Sequence, residues 1–389
     1  MIAVGLEVLL DSQLKHVAGN RFGLLTNQAS VNRHFIHNRL LLKQKSADAF
    51  TTLFSPQHGF YSEKQDNMVE SDHSIDALTG LPVFSLYGEV RKPTEEMMAN
   101  IDILIIDLMD VGTRVYTFLY TMAYCLEAAC QYGKKVLVLD RPNPLGGHTV
   151  EGNLLKESCT SFVGLFPLPM RHGLTFAELA LFINSEYDIG ADLEVVAMQG
   201  WQRHMLFRDT GFPWVFPSPN MPSPETALLY PGQVIWEGTN VSEGRGTTLP
   251  FELFGCPYLV HDEVLNFVKR TELPGCFLRP LLFQPTSGKW AGQVCSGFQL
   301  HVTDRHAYRP YRTSLVLLQA ILSLYKEQFQ YKDPPYEYEY FRLPIDLIIG
   351  SEQVREELEQ GAAVEEMEDA WSGELREFME RREPYLLYS

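Results

Sequence analysis

The stretch Glu237-Gly-Thr-Asn-Val-Ser-Glu-Gly-Arg-Gly-Thr-Thr248 sets two carboxylates, a guanidinium, an amide and several hydroxyls among glycines, a composition suited to a site more than to a core. Gly238, Gly244 and Gly246 allow positive φ or close approach of the backbone to a ligand, while Glu237, Glu243 and Arg245 carry the chemistry of an acid, a base and an anion clamp. A solvated loop in which Glu243 and Arg245 merely pair at the surface fits the same residues. Three other loops hold comparable chemistry. They are Ser55-Pro-Gln-His-Gly-Phe-Tyr-Ser-Glu63 with Asp66 and Glu70 behind it, Leu108-Met-Asp-Val-Gly-Thr-Arg-Val-Tyr116, and Arg141-Pro-Asn-Pro-Leu-Gly-Gly147. Taken alone, His58 fits a hydrogen-bonded structural histidine as well as a catalyst, and Asp107 and Asp140 fit helix caps.

What brings such loops together is the pattern between them. Short β-rich runs alternate with helical spacing over the first two hundred residues, which predicts a parallel sheet covered on both faces. Expected strands are Phe22–Thr26, Thr51–Phe54, Pro82–Leu86, Ile101–Asp107, Lys135–Asp140 and Leu193–Ala197. Two of them read as apolar runs closed by aspartate, as central strands do. A helix is expected over Tyr116–Tyr132, stopped by Gly133, and another over Thr175–Tyr187 with Thr175 and Glu178 as a capping box. In open parallel sheets ligands bind beyond the carboxyl ends of the strands, where the marked loops begin. Trp201–Pro231 is rich in rings and prolines. Such rings seal an interdomain seam or stack on sugars, and Trp214 and Trp236 are expected to face a ligand.

Beyond about residue 250 the pattern becomes α+β, with strands over Leu278–Phe283 and Val294–Thr303 and helices over Tyr311–Phe329 and Glu352–Arg382. The expected architecture is therefore a Rossmann-like, mostly parallel sheet domain (1–235) followed by a smaller α+β domain (236–389) that completes the cleft. A chain of 389 residues is long for one core, which agrees with two domains. A net charge of −17 argues against nucleic acid or an anionic membrane as partner, so an anionic small molecule has to be met by individual arginines. No apolar run is long enough to span a bilayer, and Glu7 and Asp11 interrupt the start of the chain without a basic segment before them. A cytoplasmic location is expected. The six cysteines form no C-x-x-C pair, which disfavours disulfide and metal readings. No G-x-G-x-x-G follows the first strand and no phosphate-loop motif occurs, so neither a dinucleotide nor a nucleotide cofactor is expected.

Five motifs in one order, Ser55-Pro-Gln-His-Gly59, Asp107-Leu-Met-Asp-Val-Gly-Thr-Arg114, Leu139-Asp-Arg-Pro-Asn-Pro-Leu-Gly-Gly147, Pro217-Ser-Pro-Asn-Met-Pro222 and the Glu237–Thr248 stretch, resemble the NamZ family of exo-β-N-acetylmuramidases. The likeness runs to Arg382-Glu-Pro-Tyr-Leu-Leu-Tyr388. It implies a cleft that removes non-reducing terminal N-acetylmuramic acid from peptidoglycan fragments, in cell-wall recycling and without a cofactor. One position departs. The family pattern carries Glu before its His-Gly pair where this chain has Gln57, which cannot ionise. A displaced carboxylate (Glu63 or Asp66), a changed substrate, or a non-catalytic sugar-binding protein each follow from that exchange.

Glycoside hydrolysis uses two carboxyl groups across the scissile bond unless the substrate's own acetamide attacks. Among the loop carboxylates Glu63, Asp107, Asp110, Glu237 and Glu243, either Glu63 or Glu243 is expected to act as general acid, with Asp110 and His58 as base or orienting partners. Muramic acid carries a lactyl carboxylate, for which arginine's planar fork is suited. At least two of Arg114, Arg141, Arg171 and Arg245 are expected to line the pocket. Gln57, Tyr116, Asn143, His172, Asn220, Glu237 and Asn240 complete the expected sugar contacts.

Overall fold

The computed structural model describes residues 2–65, 68–269 and 271–389, with Ala47 described by its backbone alone; Asp66 lies outside the described residues. Twelve strands occur among them: β1 Phe22–Thr26, β2 Phe50–Ser55, β3 Ser74–Ile75, β4 Pro82–Ser85, β5 Ile103–Asp107, β6 Lys135–Leu139, β7 Glu151–Leu154, β8 Pro169–Arg171, β9 Leu193–Val196, β10 Leu253–Cys256, β11 Cys276–Phe283 and β12 Cys295–Val302. The main sheet runs β3-β4-β2-β1-β5-β6-β9. Every pairing in it is parallel except β3 with β4. β1 and β5 are buried at every residue because helices cover both faces, which explains their unbroken apolar sequence. The order reverses at β1, with β2 on one side and β5 on the other, so the topological switch point lies between β1 and β5.

The expected strands all form, with ends shifted by a residue or two. The helix after β5 spans Phe118–Gln131, and the capping box at Thr175 is present, with Glu178 Oε2 accepting from the Thr175 amide at 2.9 Å. One run differs. Glu352–Arg382 is not one helix but two, Glu352–Gln360 and Val364–Arg382. Gly361 takes φ +81 and ends the first in the left-handed C-terminal turn that glycine favours. β7 and β8, for which no strand was expected, pair antiparallel.

The smaller C-terminal domain holds the antiparallel sheet β10-β12-β11 and the helix Pro310–Leu324. Its core is continuous with that of the large sheet: one buried cluster includes Leu25 and Ile106, Trp236 and Phe254, and Trp371 and Phe378. The helix Pro224–Gln233 joins the two by packing on Pro310–Leu324, closely enough that a Cβ at Gly232 would lie 2.0 Å from the Pro310 carbonyl oxygen. Among the described residues no helix is long and apolar enough to cross a membrane.

Candidate active site

Four segments meet around one cleft. The turn after β2 brings Gln57 and His58, the loop after β5 brings Val115–Phe118, and the proline-rich loop brings Ser218, Asn220 and Met221. The C-terminal part closes it with Tyr230, Glu237, Arg245, Phe251, Tyr336 and Glu337. The His-Gly turn holds its shape through positive φ at His58 (75°) and Gly59 (82°), and Ser62 Oγ ties it to the proline-rich loop by donating to Pro217 O at 3.0 Å. Histidine-glycine and glycine-arginine-glycine turns therefore face one concavity, as the sequence reading required.

Two carboxyl groups in this cleft have opposite surroundings. Burial pushes Glu237 up, but Arg245 and the Tyr336 hydroxyl, each donating to it at 2.6 Å, pull it below the ordinary glutamate range. Glu337 is raised, chiefly by burial. The Tyr87 hydroxyl at 2.7 Å and the Gln57 amide at 2.9 Å oppose that shift without reversing it, and the charge of Glu237 adds to it. Gln57 is itself oriented by the Thr117 hydroxyl, which donates to its carbonyl oxygen. His58 is lowered to about 4 by burial, so its ring is neutral near pH 7. Its Nδ1 lies 2.8 Å from the Lys64 carbonyl oxygen, which only accepts; the proton therefore sits on Nδ1 and Nε2 carries the lone pair.

Of the residues expected at the site, Gln57, His58, Tyr116, Asn220, Glu237 and Arg245 line this cleft. The others lie elsewhere. Glu63 is exposed and accepts from the Tyr61 amide of its own loop at 3.1 Å. Glu243 stands behind Arg245, held by Lys289 at 2.7 Å and by Arg245 Nε at 3.5 Å. Asp110 is buried beside Asn143 and Arg141; it accepts from the Gly112 amide at 2.7 Å through Oδ1, and Oδ2 has no partner. Burial raises Asp110 to about 7. Asn143 braces its loop through Leu174 O and the Leu145 amide, and Asn240 binds Gln328 O and the Tyr258 hydroxyl. His172 is wholly buried, its Nδ1 accepting from the Leu174 amide at 3.1 Å.

The expected pair of arginines is corrected to one: among the described residues only Arg245 lines the cleft. Arg114 is buried and donates to the carbonyls of Asn153, Leu168, Ile348 and Ile349 at 2.6–3.0 Å. Arg141 forms a two-pronged pair with Asp107 at 2.5 and 3.0 Å, and Arg171 donates to Leu145 O. The tryptophans are corrected as well. Trp236 is fully buried and stacks on Phe254 at 5.1 Å, and Trp214 donates to Met221 O at 3.0 Å; neither lines the cleft.

Sequence reasoning passed over Tyr87, Tyr230, Tyr336 and Glu337. The signal lay in Tyr336-Glu-Tyr-Glu-Tyr340, where carboxylates alternate with rings after Pro334-Pro335 in a segment that fits neither helix nor buried strand. Glu337 and Tyr338 take φ of 45° and 67°, conformations rare in residues with a side chain and concentrated at functional sites.

Comparison with known proteins yields family models described as exo-beta-N-acetylmuramidase NamZ, N-terminal, over residues 22–225 and exo-beta-N-acetylmuramidase NamZ, C-terminal, over 228–388. The chain is 42% identical over 387 residues to the peptidoglycan beta-N-acetylmuramidase NamZ of Bacillus subtilis (strain 168), covering 100% of this chain and 91% of that protein. Crystal structures of two DUF1343 family proteins from Bacteroides fragilis NCTC 9343 superpose on it. One has a TM-score of 0.90 at 33% identity and the other 0.77 at 29%, each covering 100% of this chain and 99% of the other.

Proposed function

We infer the activity from one premise: the chain belongs to the exo-beta-N-acetylmuramidase NamZ family. It is a glycoside hydrolase that releases non-reducing terminal N-acetylmuramic acid from peptidoglycan fragments. The observation that carries this reading within the molecule is the pair of carboxyl groups in one cleft whose surroundings drive their proton affinities apart, which suits one to give a proton and the other to remain a charge beside the sugar.

In this reading Glu337, whose hold on a proton burial strengthens, acts as the general acid and gives a proton to the glycosidic oxygen as the bond to the anomeric carbon breaks. Water adds to the anomeric carbon and passes a proton to Nε2 of His58. Glu237 has both oxygens engaged by Arg245 and Tyr336, and it serves as a fixed negative charge that stabilises the positive charge developing on the sugar ring. Glu337 takes the part first sought in Glu63, Glu243 or Asp66. Gln57 does not leave the cleft without an acid, because its amide holds Glu337 in place. We divide the chain at 235/236, and we place the reaction in cell-wall recycling in the cytoplasm, a reducing compartment in which six unpaired cysteines persist.

The test is incubation with a chromogenic N-acetylmuramic acid glycoside, with and without added NAD or divalent metal, following release and binding together. Release without additions is expected. Binding with no release under any condition would instead mark a sugar-binding protein.

A further inference from the structure

An acidic sugar needs a cation with capacity to spare, and Arg245 has little: its guanidinium already faces Glu237 at 2.6 Å and Glu243 at 3.5 Å. Lys289 is enclosed as well, donating to Glu243 and to the carbonyls of Trp236 and Val241. Arg91 is different. Its guanidinium carbon lies 3.9 Å from the centroid of the Tyr338 ring and 4.6 Å from that of Phe162. The chain neighbours of these rings, Glu337 and Val163, line the cleft. Among the described residues Arg91 has neither a salt bridge nor a hydrogen bond, whereas the adjacent Lys92 pairs with Glu127 at 3.0 Å. In a chain of net charge −17, an arginine held by rings and left without a salt bridge is suited to an anion brought by a ligand. The two aromatic contacts fix the guanidinium and leave its N–H edges without an oxygen acceptor.

We propose that Arg91 is the specificity residue of this cleft, binding the lactyl carboxylate that distinguishes N-acetylmuramic acid from N-acetylglucosamine. This rests on the glycosidase reading above. The carboxylate meets a planar fork already held in position, so little side-chain freedom is lost on binding. Arg91 also stands within electrostatic reach of Glu337, so the clamp and the acid act on neighbouring parts of one sugar.

The experiment compares wild type, Arg91→Ala and Arg91→Lys by calorimetric binding of free N-acetylmuramic acid and free N-acetylglucosamine, and by hydrolysis of a chromogenic N-acetylmuramic acid glycoside and its lactyl methyl ester. Arg91→Ala is expected to weaken N-acetylmuramic acid binding, and to raise KM for the free acid, by about 10- to 100-fold, as for loss of a charge-assisted hydrogen bond. N-acetylglucosamine binding and ester hydrolysis should stay unchanged, with Arg91→Lys intermediate. Equal losses for acid and ester, or no loss for either in a variant that melts like wild type, would overturn the clamp while leaving the hydrolase standing. A wild type that binds neither sugar would overturn both readings.

Discussion

The switch point between β1 and β5 and the cleft between the β2 turn, the β5 loop and the C-terminal part lie along the same edge of the sheet and use the same residue types. The second is the one proposed to take the substrate. At the switch point Asp107 is enclosed: Arg141 donates to both its oxygens, Asn38 to Oδ2 at 2.8 Å, and Ser30 to its carbonyl at 2.6 Å. The donors around Asp107 thus meet protein acceptors, and the polar groups of the crevice that sheet topology offers are taken up by the chain itself. In the cleft the internal partners run out. Glu337 stays raised despite two donors, His58 keeps a lone pair, and Arg91 at the margin has no salt bridge. The strand-end rule thus locates the edge of the sheet but not the crevice in use, which is chosen by the segment that arrives from the second domain.

The strongest way to break this comparison is to remove the acid. Glu337→Gln keeps shape and an acceptor for Gln57 but has no proton to give, and kcat on a chromogenic N-acetylmuramic acid glycoside is expected to fall about 10²- to 10⁴-fold. Stability should change little, because a neutral amide replaces a carboxyl that burial already favours as neutral. A kcat within about threefold of wild type would remove Glu337 from the role of general acid.

The complementary change strikes the filled region. Arg114→Met leaves four buried carbonyls, those of Asn153, Leu168, Ile348 and Ile349, without their donor. A loss of about 3 kcal/mol or more is expected in urea unfolding, since each unsatisfied buried polar group costs about 1–3 kcal/mol. The protein that remains folded should keep its KM. A large rise in KM at unchanged stability would instead place Arg114 at the substrate.

These two residues also show what the sequence disclosed and what it withheld. Apolar runs marked β1, β5 and β6 because a strand buried on both faces has no choice of side chain, and Thr175 with Glu178 marked a helix start because cap chemistry is local. The turns holding His58 and Arg245 stood out by their glycines. Arg114 carried the same signal as Arg245, a guanidinium in a glycine-containing loop, yet its acceptors are backbone carbonyls up to 235 residues away, which no local pattern encodes. Glu337 gave the reverse error. Its importance comes from burial against Tyr87 and Gln57, 250 and 280 residues distant, and its own segment has no periodicity to draw the eye.

Asp110 tests the boundary between the two regions, with the smallest expected effect. It belongs to the backing layer, yet its Oδ2 has no partner and burial raises it to about 7, above the ordinary aspartate value of 3.8. A carboxyl that binds its proton more tightly when folded stabilises fully below the unfolded value, and that contribution is lost as pH rises through the folded one. Asp110 should therefore lower wild-type stability progressively between about pH 4 and about pH 7, a decline that the neutral buried histidines His37, His58 and His172 partly offset below about pH 6.5. Asp110→Asn retains the acceptor for the Gly112 amide and does not titrate, so it should remove roughly 1 kcal/mol per pH unit of that decline between about pH 4.5 and about pH 6.5, with the difference levelling off above about pH 7.5. Asp140 and Glu151, also raised to about 7 by burial, keep part of the slope in place. Denaturant unfolding at several pH values measures the difference. Parallel wild-type and variant curves would mean that Asp110 is ionised in the folded protein, with Oδ2 satisfied by solvent, and the backing layer would then be wetter than its buried side chains indicate.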